Sequence, residues 1–204
     1  MKKYSVIVFD LGIVLIPFDY QKINRRLDKI EQGLGEKFLV FYKAHYHLHR
    51  EYERGDISGE QFLNAVLNAL EYKISGEDFC KLFSEIFTVD EDVATLLPVL
   101  KKNYRLLLLS NTSAIHQKYG WERFPFLRHF EKLFLSYEVR AVKPEPEIYQ
   151  AVTAYTQLPP SEHIFIDDVA EYAAGAKAQG WDAIQFLGYR SLIDELQLRG
   201  ILVS

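Results

Sequence analysis

Short apolar runs that end in polar residues constrain the fold of this chain more than any other feature. They lie at residues 5–10, 104–110, 132–136, 163–168 and 182–186. Each run is short and rich in Val, Ile, Leu or Phe, which is typical of a strand buried on both faces. Segments with apolar residues at helical spacing separate the runs. This alternation predicts an α/β fold with a doubly wound, Rossmann-like parallel sheet.

The interval between the first two runs is too long for a single crossover helix. It carries apolar residues at helical spacing, and the segments "SGEQF" and "SGEDF" each place Ser before a first turn that contains Glu, as helix N-caps do. A chain of 204 residues suits one core domain with a modest insertion. We therefore predict an α/β core formed by residues 1–15 and 89–204, and a helical cap formed by residues 16–88.

Composition excludes several classes of partner. The net charge of -4 and the isoelectric point near 5.9 give no basic field, so we expect no nucleic-acid partner. No apolar stretch approaches the length of a membrane span, so we expect no membrane partner. The one cysteine, Cys80, cannot form an internal disulfide, which suits a reducing compartment and predicts a cytoplasmic protein. The sequence does not indicate an oligomeric state.

Polar residues follow four of the predicted strands. Ligands of open parallel sheets bind beyond the carboxyl ends of the strands, so these residues are the candidates for a site. Each has an ordinary alternative as a turn residue, a helix cap or an exposed lysine. Two adjacent carboxylates at the end of a buried strand are harder to explain without a cation, because like charges repel. The candidates are Asp10, Ser110, Asn111, Lys143, Asp167 and Asp168.

This set of residues fits phosphoryl transfer through an aspartyl-phosphate. A carboxylate can attack phosphorus and divide the reaction into two easier steps. Two anions must meet in the first step, so a cation is required, and Mg²⁺ prefers oxygen ligands. Asp10 and Asp168 would hold this metal. Lys143 and the Ser110 hydroxyl would hold the phosphoryl oxygens, where charge spreads in the transition state.

Four segments resemble, in order, the motifs of the haloacid dehalogenase superfamily of phosphohydrolases. They are "FDLGIVL", "LLLSNTS", "VKPEPEIY" and "FIDDVAEYAAGAKAQG". Within its subfamily IA, the "FDLG" and "SNT" segments are similar to those of the alpha-D-glucose-1-phosphate phosphatase-like group. The segment "YERGDISGEQF" also resembles a recurring pattern of the helical cap. The resemblance implies Mg²⁺-dependent hydrolysis of a small phosphomonoester, a sugar phosphate, and therefore a phosphorylated small molecule as partner.

The resemblance also implies a role for each candidate residue. Asp10 would be the nucleophile and a metal ligand, together with the backbone carbonyl of Gly12. Asp168 would bind Mg²⁺ directly, with Asp167 in or next to the outer shell of the metal. The remaining residues would bind phosphate: Ser110, the backbone amide of Asn111, and Lys143, which would also pair with the nucleophile.

The chain departs from the usual family pattern at three positions. Gly12 replaces a second aspartate that protonates the leaving group, Ile13 replaces a common Asn or Gly, and Tyr172 stands where Asn is frequent. The general acid would then be water or a cap residue, with His45 or His49 as candidates.

These departures leave two alternatives open. One is a hydrolytic 2-haloacid dehalogenase, which also lacks the second aspartate but needs no metal and no acidic pair. The other is a weakly active, phosphatase-like binding protein. The pair Asp167–Asp168 favours the phosphatase.

Overall fold

A computed structural model of the chain describes residues 3–202. Residues 1–2 and 203–204, which the predicted core ranges include, lie outside the described part. A five-stranded sheet occupies the centre, with the strand order β3-β2-β1-β4-β5 and all neighbours parallel. The strands are β1 Val6–Phe9, β2 Arg105–Ser110, β3 Lys132–Leu135, β4 His163–Asp167 and β5 Asp182–Gln185. The predicted α/β class and parallel sheet are confirmed.

Both faces of the sheet are buried, which explains why the strands read as continuous apolar runs. In β1, Ile7 and Phe9 pack into one hydrophobic cluster, while Val6 and Val8 pack into another on the opposite face. In β2, Leu106 packs into the first cluster and the next residue packs into the second, and this alternation continues along the strand. A strand that is covered on both sides needs apolar residues at every position.

Helices cover the sheet and fill the long interval after β1. In that interval lie α1 Gln21–Ile30, α2 Leu34–Ala44, α3 Tyr46–Arg54, α4 Gly59–Ala69 and α5 Gly76–Ser84. The later helices are α6 Glu91–Ala94, α7 Leu96–Leu100, α8 Ala114–His116, α9 Ser136–Val139, α10 Pro146–Thr156, α11 Ala170–Ala178 and α12 Tyr189–Leu198. Short 3₁₀ turns occupy Pro125–His129 and Pro160–Glu162, and a single π-helical turn occupies Gln117–Trp121. None of the helices within residues 3–202 combines the length and apolarity needed to cross a bilayer.

Two of the segments with helical spacing are broken into shorter helices. The stretch after Asp90 divides into α6 and α7, because Pro98 has no N–H for the carbonyl of Ala94 and its ring crowds that carbonyl. The stretch around the three closely spaced histidines divides at His45, which belongs to neither α2 nor α3. His45 therefore leaves the helical spacing that would have placed it above His49.

The helices α1–α5 share a hydrophobic cluster of their own. Its buried members run from Ile23 to Ile86 and are joined by Ile115, which follows β2. Ser58 caps α4 in a full capping box with Gln61, and Ser75 caps α5 through the backbone of Asp78, as the sequence predicts. The separation of residues 16–88 as a cap domain remains a prediction.

The helix α3 connects this cluster to the core. Its last residue, Arg54, pairs with Glu145 at 3.1 Å, two residues after Lys143. Gly55 follows with φ of 80°, and a Cβ there would lie 2.6 Å from the backbone oxygen of Tyr137. Only glycine permits this approach, so α3 is fixed against α9 and the segment that carries Lys143.

Candidate active site

A buried amine lies between two carboxylates at the carboxyl edge of the sheet. The Lys143 Nζ donates to Asp10 Oδ1 and to Asp167 Oδ2, both at 2.6 Å. All three side chains are nearly inaccessible to solvent. Ligand oxygens of Asp10, Asp167 and the half-buried Asp168 all lie within 4.8 Å of one another. We call these four residues the carboxylate cluster.

The sheet topology brings the acidic residues together. Asp10 directly follows β1 and Asp167 ends β4, and these strands are paired so that Phe9 lies opposite Ile166. The ladder continues for one more bond, since Asp10 N donates to Ile166 O at 2.8 Å. The nucleophile candidate therefore sits on a rigid strand end.

The Asn111 side chain holds the backbone of Lys143. Its Nδ2 donates to Lys143 O at 3.2 Å, and its Oδ1 accepts from Lys143 N at 2.8 Å. The sequence predicted only the backbone amide of Asn111 as a functional group. This reciprocal pair gives its side chain a positioning role that the motif did not indicate.

The loop after β2 is tied to the start of α9. Ser136, which is fully buried, accepts from Thr112 N at 3.0 Å and donates to Thr112 O at 3.1 Å. The nearby Ser110 hydroxyl is also buried, with a long contact of 3.4 Å to Asn111 O. Ser136 was not among the predicted site residues, although it ends the third apolar run in the same way that Ser110 ends the second.

Negative charge exceeds positive charge in the carboxylate cluster. Burial raises the pKa of Asp10 to about 7; Lys143 opposes this shift and Asp167 adds to it. Burial and the charge of Asp167 also raise the pKa of Asp168. Burial disfavours the Lys143 cation, but Asp10 and Asp167 outweigh it and raise the pKa of Lys143. The single amine cannot neutralise three carboxylates, and the carboxylate oxygens are donors that fit a divalent cation such as Mg²⁺.

Asp167 has fewer free oxygens than the other two acids. Its Oδ2 accepts from Lys143, and its Oδ1 accepts from Val169 N at 2.8 Å. Asp168 is more exposed, and one of its carboxylate oxygens lies within 4.8 Å of an oxygen of each of the other two acids.

An aspartate at residue 12, in place of Gly12, would lie close to the side chains of Phe18 and Asp10. A Cβ at residue 12 would lie 3.3 Å from Phe18 Cε1 and 3.8 Å from Asp10 Oδ2. The Gly12 carbonyl accepts from Val14 N at 2.5 Å, and a carbonyl keeps a second lone pair for another partner. Ile13 has φ of 59°, a left-handed conformation that suits Asn or Gly and strains a β-branched residue.

Aromatic rings surround the Lys143 amine. Its Nζ lies 5.0 Å from the ring centre of Tyr172 and 5.4 Å from that of Phe165, within the range of cation–π attraction. The Tyr149 hydroxyl donates to Tyr172 O at 2.8 Å and fixes the start of α11. Tyr172 thus occupies a wall of the site, at the position where the resemblance to the superfamily would imply Asn.

The two candidate cap histidines have different surroundings. His45 is exposed, and its ring stacks on Phe41. His49 is buried in α3, with Nε2 3.2 Å from Glu53 Oε1. Glu53 Oε2 also accepts from Arg50 at 2.9 Å. Of the two histidines, only His49 lies on the buried face of α3.

The sequence of this chain matches a known family along most of its length. The family model of haloacid dehalogenase-like hydrolases matches residues 4–180. The chain belongs to this family. The sequence resemblance to the superfamily is therefore confirmed, and the chain is a hydrolase.

Relatives of the haloacid dehalogenase-like chain include a phosphatase. The D-ribitol-5-phosphate phosphatase of Bacteroides thetaiotaomicron is 28% identical over 187 residues, which cover 88% of this chain and 90% of the relative. A haloacid dehalogenase family enzyme from the same organism, solved in complex with magnesium and inorganic phosphate, has a TM-score of 0.74 and 26% identity. This comparison covers 89% of this chain and 93% of that enzyme. These findings are consistent with a phosphoric monoester hydrolase, while the glucose-1-phosphate phosphatase-like group is not confirmed.

A dehalogenase shares the fold as well. The L-2-haloacid dehalogenase of Xanthobacter autotrophicus has a TM-score of 0.63 at 19% identity, over 98% of this chain and 84% of the dehalogenase. At this identity the likeness concerns the fold alone.

Proposed function

We propose that this chain is a Mg²⁺-dependent phosphatase that hydrolyses a sugar phosphate or sugar-alcohol phosphate through an aspartyl-phosphate on Asp10. The observation that carries the proposal is the carboxylate cluster, in which one buried amine binds two of three carboxylates. A phosphoryl group is an anion, so the site needs the positive charge of Lys143 and of a cation beside the nucleophile.

Asp10 would act as the nucleophile through the oxygen that Lys143 does not hold. Lys143 binds Oδ1, which leaves Oδ2 to attack phosphorus. A bond forms between Oδ2 and phosphorus as the bond to the leaving oxygen breaks, and the alcohol takes a proton from solvent or from a nearby acid. Water then attacks the phosphorus of the aspartyl-phosphate, which restores the carboxylate and releases inorganic phosphate.

Three groups would bind the phosphoryl oxygens. They are the Lys143 amine, the Ser110 hydroxyl and the backbone amide of Asn111. The side chain of Asn111 already holds the Lys143 backbone, so the two phosphate-binding segments are fixed to each other. Such preorganised donors stabilise the charge that develops in the transition state.

The residues present fit a resident Mg²⁺. Asp10, Asp168 and the Gly12 carbonyl would hold it directly, with Asp167 in or next to its outer shell. When bound, the metal would neutralise charge on the carboxylates and on the phosphoryl oxygens. Asp167 would chiefly hold Lys143 in place, because both of its oxygens already accept hydrogen bonds.

The nature of the alcohol is supported by one relative and by a resemblance of two motifs. The relative from Bacteroides thetaiotaomicron acts on D-ribitol 5-phosphate by its name, and "FDLG" and "SNT" resemble the glucose-1-phosphate phosphatase-like group. D-ribitol 5-phosphate and glucose 1-phosphate are both small monophosphates with several hydroxyl groups. The acidic net charge also disfavours nucleic acid as a partner.

A panel of phosphorylated metabolites, assayed with Mg²⁺ and with EDTA, tests the proposal. We expect release of phosphate from polyhydroxylated monophosphates, dependent on the metal. Release of halide from a 2-haloacid without metal would instead support the dehalogenase alternative. Binding of phosphate esters without turnover would support the weakly active binding protein, for which Gly12 and Ile13 are the specific observations.

A further inference from the structure

Two buried hydroxyl groups from α3 and α5 bind the backbone of the segment that follows β2. The N–H of Ile115, in α8, donates to the Tyr52 hydroxyl at 3.1 Å, and the Ser84 hydroxyl donates to the Ile115 carbonyl at 3.2 Å. Tyr52 lies on α3, Ser84 lies on α5, and both side chains are buried. Side chains that are distant in sequence therefore bind both polar backbone groups of one residue.

The Ile115 N–H is a group that α8 cannot satisfy by itself. α8 begins at Ala114, and the first N–H groups of a helix have no acceptor within that helix. The Ser113 side chain caps α8 by accepting from His116 N at 3.3 Å, so it serves a different N–H. Because Ile115 is buried, its N–H would be left without an acceptor if the Tyr52 hydroxyl were absent, which is unfavourable.

Packing fixes the position of the Tyr52 hydroxyl. The Tyr52 ring stacks on Phe62, with ring centres 5.0 Å apart. Gly59, the first residue of α4, leaves room for the hydroxyl, because a Cβ there would lie 3.0 Å from the hydroxyl oxygen. A hydroxyl on a ring that is held in this way can in turn fix the backbone that it binds.

The anchored residue lies close to the phosphate-binding loop. Ser110 ends β2 and is paired with Leu135, so the sheet fixes its backbone. Asn111 lies beyond the strand, so the direction of its N–H depends on how the residues after it are held. Thr112 is held by Ser136, to which its N–H donates at 3.0 Å and from which its carbonyl accepts at 3.1 Å. The bonds to residue 115 hold the same segment at its other end.

We propose that Tyr52 is a positioning residue for phosphate binding: its hydroxyl, together with that of Ser84, holds residue 115 so that the Asn111 N–H points at a phosphoryl oxygen. The inference rests on the proposed function, and it concerns the phosphoryl group rather than the alcohol of the ester. Preorganised N–H groups stabilise charge on phosphoryl oxygens because they need not reorient as that charge develops. Loss of the anchor would weaken a contact that all phosphate esters share.

The variant Tyr52→Phe tests this inference, because it removes the hydroxyl and keeps a ring that can stack on Phe62. With Mg²⁺ present, kcat/KM should fall about 10-fold, and the inhibition constant of inorganic phosphate should rise by a similar factor. The fall should be equal for phenyl phosphate and for a sugar phosphate, since both carry the same phosphoryl group. An unchanged inhibition constant, or a fall confined to one ester, would overturn the inference.

A second variant and a control separate positioning from stability. Ser84→Ala removes the other bond to residue 115 and should raise the inhibition constant less, because a carbonyl tolerates the loss of a partner better than an N–H does. Thr156→Val is the control, since Thr156 Oγ1 lies 2.8 Å from Nε2 of His163, which begins β4 at the opposite edge of the sheet. This control should lower the melting temperature without changing the inhibition constant. Equal rises in all three variants would mean that lost stability alone weakens phosphate binding, and would overturn the inference.

Failure of the inference and failure of the proposed function give different results. Absence of Mg²⁺-dependent phosphate release from every ester by the wild type would contradict the proposed function. Turnover by the wild type, with unchanged phosphate inhibition in both Tyr52→Phe and Ser84→Ala, would contradict the positioning role alone. If circular dichroism shows that Tyr52→Phe does not fold, Ser84→Ala decides, and an unchanged inhibition constant in that variant overturns the inference.

Discussion

Two groups of buried charged residues in this molecule differ in their charge balance. The carboxylate cluster has three acids and one amine, and burial raises the pKa of Asp10 to about 7. On α3, Glu53 pairs with the Arg50 guanidinium and the His49 imidazole, and there the pKa of Glu53 is lowered. We call these three residues the α3 cluster. An excess of carboxylates calls for a cation, whereas a balanced pair is stable without one. Charge balance thus distinguishes a group of residues that needs a cation from a group whose own members neutralise one another.

The largest expected effect concerns the carboxylate cluster. Asp10→Asn keeps the shape of the side chain and removes the attacking charge, so activity should fall by several orders of magnitude while the fold persists. Phosphate release and the circular dichroism spectrum check the two parts. Asp194→Asn, an exposed position on α12, is the matched control. Near wild-type turnover by Asp10→Asn would rule out the covalent mechanism.

The two adjacent aspartates should differ when each is removed. Asp168→Ala should sharply raise the Mg²⁺ concentration needed for activity, because it removes a metal ligand with no bond to Lys143. Asp167→Ala should change that requirement less and should destabilise the fold by roughly 1–3 kcal/mol, because it removes a hydrogen-bonded partner of the buried amine. Magnesium titrations of activity and urea unfolding measure the two effects. The reverse order of effects would exchange the roles of these residues.

A smaller effect should distinguish leaving groups. Without an aspartate at residue 12, a poor leaving group departs with little proton assistance, and general acid catalysis is typically worth about 10²–10⁴-fold. Sugar 1-phosphates should therefore turn over faster than the matching 6-phosphates, because the ring oxygen makes the anomeric oxygen a better leaving group. Steady-state kcat on such a pair provides the measurement.

The same pair of esters tests whether the α3 cluster supplies the acid. Equal kcat values in wild type would contradict the leaving-group argument. If equal values then separate in His49→Ala, the acid belongs to α3. His45→Ala is the control, because His45 is exposed and stacks on Phe41.

The smallest effect concerns stability near the α3 cluster. Burial, followed by the charge of His49, lowers the pKa of His116 from 6.5 to about 3, although Glu53 acts in the opposite direction. Between these values the unfolded chain binds more protons at this residue, so stability falls as pH falls from about 6.5 towards 3. One group contributes at most about 1.4 kcal/mol per pH unit.

Replacement of the His116 ring tests this dependence. His116→Phe removes the titrating group and keeps a ring that can stack on Phe83, so the decline in stability on the acid side should become less steep. Urea unfolding at a series of pH values gives the slope. Exposed His47 provides the control as His47→Gln. An unchanged slope in His116→Phe would mean that this imidazole does not control acid stability.

The sequence predicted the sheet and the residues at its edge for a physical reason. A strand that is buried on both faces is apolar throughout, so the first polar residue after it marks where the strand leaves the core, as Asp10 does after Phe9. The positions of strand ends then follow from parallel pairing. Ser110 and Asp167 are selected by the same reasoning, since each comes at the end of an apolar run.

Features that depend on long-range contacts could not be read from the sequence in the same way. The Asn111 side chain binds the Lys143 backbone, and Ser136 binds Thr112, across intervals with no periodic pattern. The three histidines are spaced by two residues, but α3 begins after His45. A break in a helix changes which side chains share a face, and no local pattern marks this one.

The contact between Arg54 and Glu145 has a mechanical consequence. Glu145 Oε2 also accepts from Val142 N at 3.1 Å, directly before Lys143. Movement of α3 away from the sheet would therefore displace the segment that carries the Lys143 amine. Movement of α3 that opens a path for the alcohol would at the same time weaken the binding of the phosphoryl group by Lys143. A single ion pair on the rim would then coordinate exit of the first product with the hold on the second.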